Sequence, residues 1–72
     1  MFYAKQRPRG FANEINIIRF TSRRERDAWV DEEGAEAITA RAAKALMRKR
    51  SDDLTEWYVT LWDADSDEPV DY

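Results

Sequence analysis

The chain contains no cysteine and no histidine. Disulfides are excluded, and so are thiolate or imidazole metal sites, which leaves only carboxylate sites for hard cations. A cysteine-free chain of this size fits a reducing compartment. Glycine and proline occur twice each in 72 residues, too few glycines for a loop that cradles phosphate. Apolar runs are short as well. None approaches the roughly 18 residues needed to span a bilayer, and the opening MFYAKQRPRG has no apolar signal-like core. These absences predict a soluble, cytoplasmic protein with no membrane segment.

Catalysis is constrained in the same way. Without His or Cys, a nucleophile would depend on Lys or a carboxylate as its base, and no serine stands in a nucleophile-elbow motif. Carboxylate pairs are abundant, but a chain near the lower size limit for a core has little depth in which to raise a carboxyl pKa. The expectation is a protein that is not an enzyme, with no catalytic residue, no cofactor and no metal ligand.

Positive charge is missing from the end of the chain. Residues 1–50 hold all 12 Lys and Arg against 7 acids, a balance of +5, while residues 51–72 hold 8 acids and no base. The net charge of -3 conceals this asymmetry, and such asymmetry is a hint of charged partners.

Met1 to Gln6 is rich in aromatics and reads as a strand. Pro8 and Gly10 punctuate a connection, and EINIIRF, dense in β-branched residues, reads as a second strand. Ser22-Arg23-Arg24-Glu25 has the spacing of a capping box, so a helix is expected from Ser22 to a left-handed stop at Gly34. Thr39 is a second N-cap, opening ARAAKALMRKR with Ile38, Ala42, Ala45 and Leu46 at helical spacing. Arg48-Lys49-Arg50 in its last turn complement the helix dipole. After Ser51-Asp52-Asp53, EWYVTLW reads as a third strand, with Val59 and Leu61 alternating against Tyr58, Thr60 and Trp62.

The pattern predicts an α+β fold of order β-β-α-α-β: a three-stranded antiparallel sheet with both helices on one face. Residues 1–63 would form the domain and 64–72 an acidic tail, with Val70 and Tyr72 available to dock. A sheet covered on one face would leave Trp62 and Tyr58 as an aromatic pair on the bare side, the residue types that dominate binding hot spots. Trp57 would point into the core.

The acids form three runs: Asp31, Glu32 and Glu33 with Glu36; Asp52 and Asp53 with Glu56; and Asp63, Asp65, Asp67 and Glu68 toward Asp71. Asp63, Asp65 and Asp67 share the opening spacing of a calcium loop, but Glu68 stands where that loop needs glycine, and the bidentate twelfth position is missing. If the runs converge, their carboxylates resemble the charge array of a nucleic-acid backbone and suit a cationic channel on a protein. The competing arrangement is a basic patch of Arg7, Arg9, Arg19, Arg23, Arg24 and Arg26, with Tyr3 or Phe11 for stacking, that binds DNA or RNA directly. Against it, these bases can pair with neighbouring acids such as Glu25, Asp27, Asp31 and Glu36.

The stretch from Ile18 to Leu46 resembles small proteins encoded by bacteriophages and other mobile elements. The likeness lies in Phe20-x-Ser22 at a strand end, Arg26-Asp27-x-Trp29-Val30 in a helix, and Ile38-Thr39 followed by Ala43 in the next. Some proteins of this appearance are anti-CRISPR inhibitors, which occupy surveillance complexes or nucleases and often compete with DNA through acidic surfaces. The resemblance transfers no functional residue. It implies a non-enzymatic inhibitor in a bacterial host cell. Its partner would be a protein complex with a basic nucleic-acid-binding surface, such as a CRISPR-Cas effector, met by the three acidic runs with Tyr58 and Trp62. The alternatives are a small DNA- or RNA-binding regulator and a homodimeric module paired through its bare sheet face.

Overall fold

EINIIRF does not merely make a strand; it makes a strand buried on both sides. Ile15 and Ile17 point one way and Ile18 and Phe20 the other, and all four are buried, Ile17 completely. A strand with apolar residues on both faces belongs in the middle of a sheet with both faces covered, and there the chain places it.

A computed structural model of the protein describes residues 1–7, 14–50, 58–66 and 68–70, without the side chains of 49 and 50. The described residues form β1 (Phe2–Gln6), β2 (Glu14–Phe20), α1 (Arg23–Glu33), β3 (Glu36–Ile38), α2 (Ala40–Arg50), β4 (Tyr58–Asp63) and β5 (Glu68–Val70). Their sheet has the order β3-β1-β2-β4-β5. β1 runs antiparallel to both β2 and β3, β4 runs antiparallel to β5, and β2 and β4 are parallel.

This corrects the expected fold. The sheet is five-stranded and mixed rather than three-stranded and antiparallel, and the helices lie on opposite faces rather than sharing one. Ala43 of α2 packs with Ile15, Ile17, Val59 and Leu61, joined by Leu46 and Met47. Trp29 and Val30 of α1 pack with Ala4, Ile18 and Phe20 on the other side. Topology supplies the reason. The β2-α1-β3 crossover travels in one direction across the sheet and β3-α2-β4 travels back. Parallel crossovers adopt a single hand, so reversing direction moves the second helix to the other face. The short β3 that makes both crossovers possible lies within the stretch read as a turn between helices. Its three residues, Glu36, Ala37 and Ile38, give only one β-branched side chain as a signal.

Local capping follows the sequence. Ser22 has extended dihedrals (φ -123, ψ 129) and its hydroxyl accepts from the Glu25 amide at 3.3 Å. Gly34 stops α1 at φ 64, and the Ala35 amide donates to the Val30 carbonyl at 3.0 Å, the long bond of a Schellman ending. Thr39 caps α2 through its hydroxyl, which accepts from the Ala42 amide at 3.1 Å. The inward face of α2 is one residue out of phase with the expected one: Ala43, Leu46 and Met47 pack inward, while Ala42 and Ala45 are exposed. Trp57 lies outside the described residues. The acidic stretch after β4 contributes Glu68–Val70 as a strand, and Val70 packs against the α2-side core.

No helix among the described residues is long and apolar enough to cross a membrane.

Candidate partner-binding groove

α1 is held to the sheet at few points. None of its residues is fully buried. Trp29 packs on Phe20 with ring centroids 5.8 Å apart. Arg26 reaches across the sheet edge: one guanidinium nitrogen donates to the carbonyls of Tyr3 (3.2 Å) and Ile38 (3.5 Å), while the group sits 5.9 Å from the Phe2 ring centroid and Nε meets Asp27 at 2.7 Å. These contacts seat α1 over β1, β2 and β3. On the same face β4 lies beyond its reach, and a groove opens between them.

The groove has a volume of about 570 Å³. Its apolar lining comes from Ile18, Phe20, Trp29 and Trp62, with Gln6 and Asn16 as neutral polar groups. Glu25 and Glu32 of α1 line one wall, and Asp63, Ala64 and Asp65 line the end where β4 turns. Trp62 is fixed by its indole N–H, which donates to Asn16 Oδ1 at 3.2 Å across the parallel β2–β4 pair. Both tryptophans are half-buried and held by neighbours before any partner arrives.

The predicted acidic runs are thus partly gathered and partly dispersed. Glu32 of the first run and Asp63 and Asp65 of the third line one groove. Glu33 and Glu36 line a separate recess at the β3 edge with Lys5 and Arg7, and Glu36 pairs with Lys5 at 3.2 Å. Asp31 is exposed on the last turn of α1, and Glu68 is exposed on β5 opposite Asp63. Tyr58 is 69% exposed at the start of β4, on the same face as Trp62. Asp52, Asp53, Glu56 and Asp67 lie outside the described residues.

Asp63 has an internal role. Its Oδ2 accepts from Arg19 Nη2 at 2.9 Å and Nε at 3.1 Å, and Oδ1 accepts from the Asp65 amide at 2.9 Å. The Arg19 hydrogen bond, followed by those from the Asp65 and Ser66 amides, holds the Asp63 carboxyl below its usual value. Its charge therefore closes the β2–β4 end of the sheet and is largely balanced there.

The arginines expected to form a basic patch are similarly engaged. Arg19 pairs with Asp63, Arg26 with Asp27 and two strand carbonyls, and Arg23 with Asp27 at 3.8 Å. Arg24 is exposed on α1. Arg9 and Phe11 lie outside the described residues.

Sequence reasoning missed Glu25, Ala28 and Trp29 as site residues, having assigned Glu25 to the cap. The signal was present: 25, 28, 29 and 32 are related as i, i+3, i+4 and i+7, one face of a helix, and all four line the groove. Gln6 and Asn16 enter by strand pairing, which no local pattern announces.

Among the described residues no cluster of three or more His, Cys, Asp or Glu could hold a metal ion. What the groove offers is a fixed aromatic surface beside carboxylates. Such a surface attracts a flat or compact organic cation by cation–π and charge-assisted hydrogen bonding. No protein-family model, curated protein or solved structure matches the chain, so its own geometry carries the functional argument.

Proposed function

We propose that this chain is a non-enzymatic binding protein that captures a basic segment of a partner in the α1–β4 groove, competing with nucleic acid for that segment. The observation that carries this reading is the pairing of fixed Trp29 and Trp62 with Glu25, Glu32 and Asp65 around one opening. Glu25 and Glu32 form no ion pair among the described residues, so their charge is available to an incoming Arg or Lys. In its narrower form the partner is the cationic nucleic-acid site of a bacterial defence complex, and the chain is its inhibitor. That form rests on the resemblance of residues 18–46 to phage-encoded inhibitors.

The alternative, direct nucleic-acid binding by the arginine-rich first half, loses support from the engagement of Arg19, Arg23 and Arg26 with acids of the same chain. Pairing through a bare sheet face loses its premise, because a helix lies on each face.

A labelled arginine-rich peptide tests the reading. It should bind the purified chain in low salt, dissociate as salt rises, and be displaced by duplex DNA competing for the peptide. Changing Glu25 and Glu32 together to Gln should weaken binding roughly tenfold or more, about 1.4 kcal/mol. Arg23→Gln with Arg24→Gln should not weaken it. Tight binding of duplex or single-stranded oligonucleotides to the chain itself, lost with the arginine changes, would overturn the proposal.

A further inference from the structure

The solvent side of α2 carries Arg41, Lys44, Ala45 and Arg48, all exposed, lining a shallow recess of about 450 Å³. None of the three bases forms an ion pair among the described residues. Their spacing, i, i+3, i+4, i+7, is that of Glu25, Ala28, Trp29 and Glu32 on α1. With a rise of about 1.5 Å per residue, the end charges of each stripe stand about 10.5 Å apart. Positions i+3 and i+4 lie on opposite sides of such a stripe, and facing helices that run parallel bring the i+3 side of one against the i+4 side of the other. Laid parallel, Arg41 meets Glu25 and Arg48 meets Glu32. Ala45 meets Ala28, which lets the helices approach closely, and Lys44 meets the Trp29 ring, a cation–π pairing. An antiparallel alignment matches the end charges but sets Lys44 against Ala28.

We propose that the groove of one molecule receives α2 of a second copy, parallel to α1, so that the chain associates with itself head to tail. This rests on the reading of the groove as a site for basic segments and adds that the chain supplies one such segment. Donor and acceptor lie on opposite faces of the sheet, so the contact is heterologous. Each copy filled on one side still offers the other, and the association grows as a chain or closes as a ring. One helix seated in a groove makes a small interface, built largely on exposed charge, so the association is reversible and salt-sensitive. Self-docking and capture of an outside basic partner exclude each other, which makes the free concentration of the chain a regulator of its own groove.

Sedimentation velocity from micromolar to millimolar protein tests this. In low salt the parent should grow with concentration past the dimer, and high salt should return it to monomer. Glu25→Gln with Glu32→Gln removes the acceptor, and Arg41→Gln with Arg48→Gln removes the donor. Each double variant should remain monomeric with an unchanged circular dichroism spectrum, and an equimolar mixture should give a one-to-one dimer that grows no further. A parent that stays monomeric in low salt, or variants that associate as the parent does, would overturn the proposal. If such a monomeric parent still binds the arginine-rich peptide through Glu25 and Glu32, only self-docking fails. Loss of both removes the groove reading as well. Duplex DNA bound by the monomer through Arg41 and Arg48 would assign the stripe to nucleic acid and overturn self-docking.

Discussion

Arg19 and Asp63 are 44 residues apart in sequence and 2.9 Å apart in space. Local pattern assigned Arg19 to a basic patch and Asp63 to an acidic surface, and only the parallel pairing of β2 with β4 reveals that they satisfy each other. The consequence is a pH dependence with a definite sign. The Asp63 carboxyl titrates lower in the folded chain than its ordinary value of 3.8, so the folded state favours the ionised form. This contribution is fully present above the ordinary value and is lost as pH falls through the lowered one. Asp63→Asn should therefore unfold at lower urea than the parent at neutral pH, with the gap closing in acid below the ordinary carboxylate range. A gap that persists unchanged in strong acid would assign the residue a different role. The caps, by contrast, were readable from four residues at a time. Ser22→Ala and Thr39→Ala should each cost about 1 kcal/mol by urea unfolding, and no effect from either would contradict the hydrogen bonds at 3.3 and 3.1 Å.

Among the elements, the strongly patterned ones were legible and the connecting logic was not. β2 and both helices stand where the β-branched run and the capping residues place them. β3 was missed because three residues carry no period, and missing it removed the crossovers that put the helices on opposite faces. The sequence did hold a warning. A strand reading I-N-I-I-R-F, apolar on both sides, does not suit a sheet bare on one face. The end of α1 gives a test at this scale. Gly34 has φ 64, and a Cβ there would meet nothing within 4 Å, so any cost of substitution is backbone strain alone. Gly34→Ala should destabilise by about 1–2 kcal/mol, and Gly34→Asn by less, since Asn tolerates the left-handed region. Equal effects would point to contacts rather than conformation.

At the scale of the whole molecule, charge is sorted by helical face: acids stand beside tryptophan on α1 and bases on the exposed side of α2, with the sheet between them. Of the described acids in the acid-rich end, Asp63 and Asp65 line the groove, and the charge of Asp63 is engaged by Arg19. Glu32 was expected among the partner-binding acids, Glu25 was assigned to the cap and to pairing with neighbouring arginines, and both line one groove with Trp29 and Trp62. The central claim, that this groove takes a basic segment, is tested most directly by two-dimensional amide and indole NMR during titration with an arginine-rich peptide. The account predicts that the Trp62 and Trp29 indole N–H signals and the amides of Glu25, Ala28 and Glu32 move together and saturate, while those of Arg41, Lys44 and Arg48 return toward their monomer positions as self-docking is displaced. Peptide-induced shifts confined to the Glu33–Glu36 recess, with both indole signals unmoved, would contradict it.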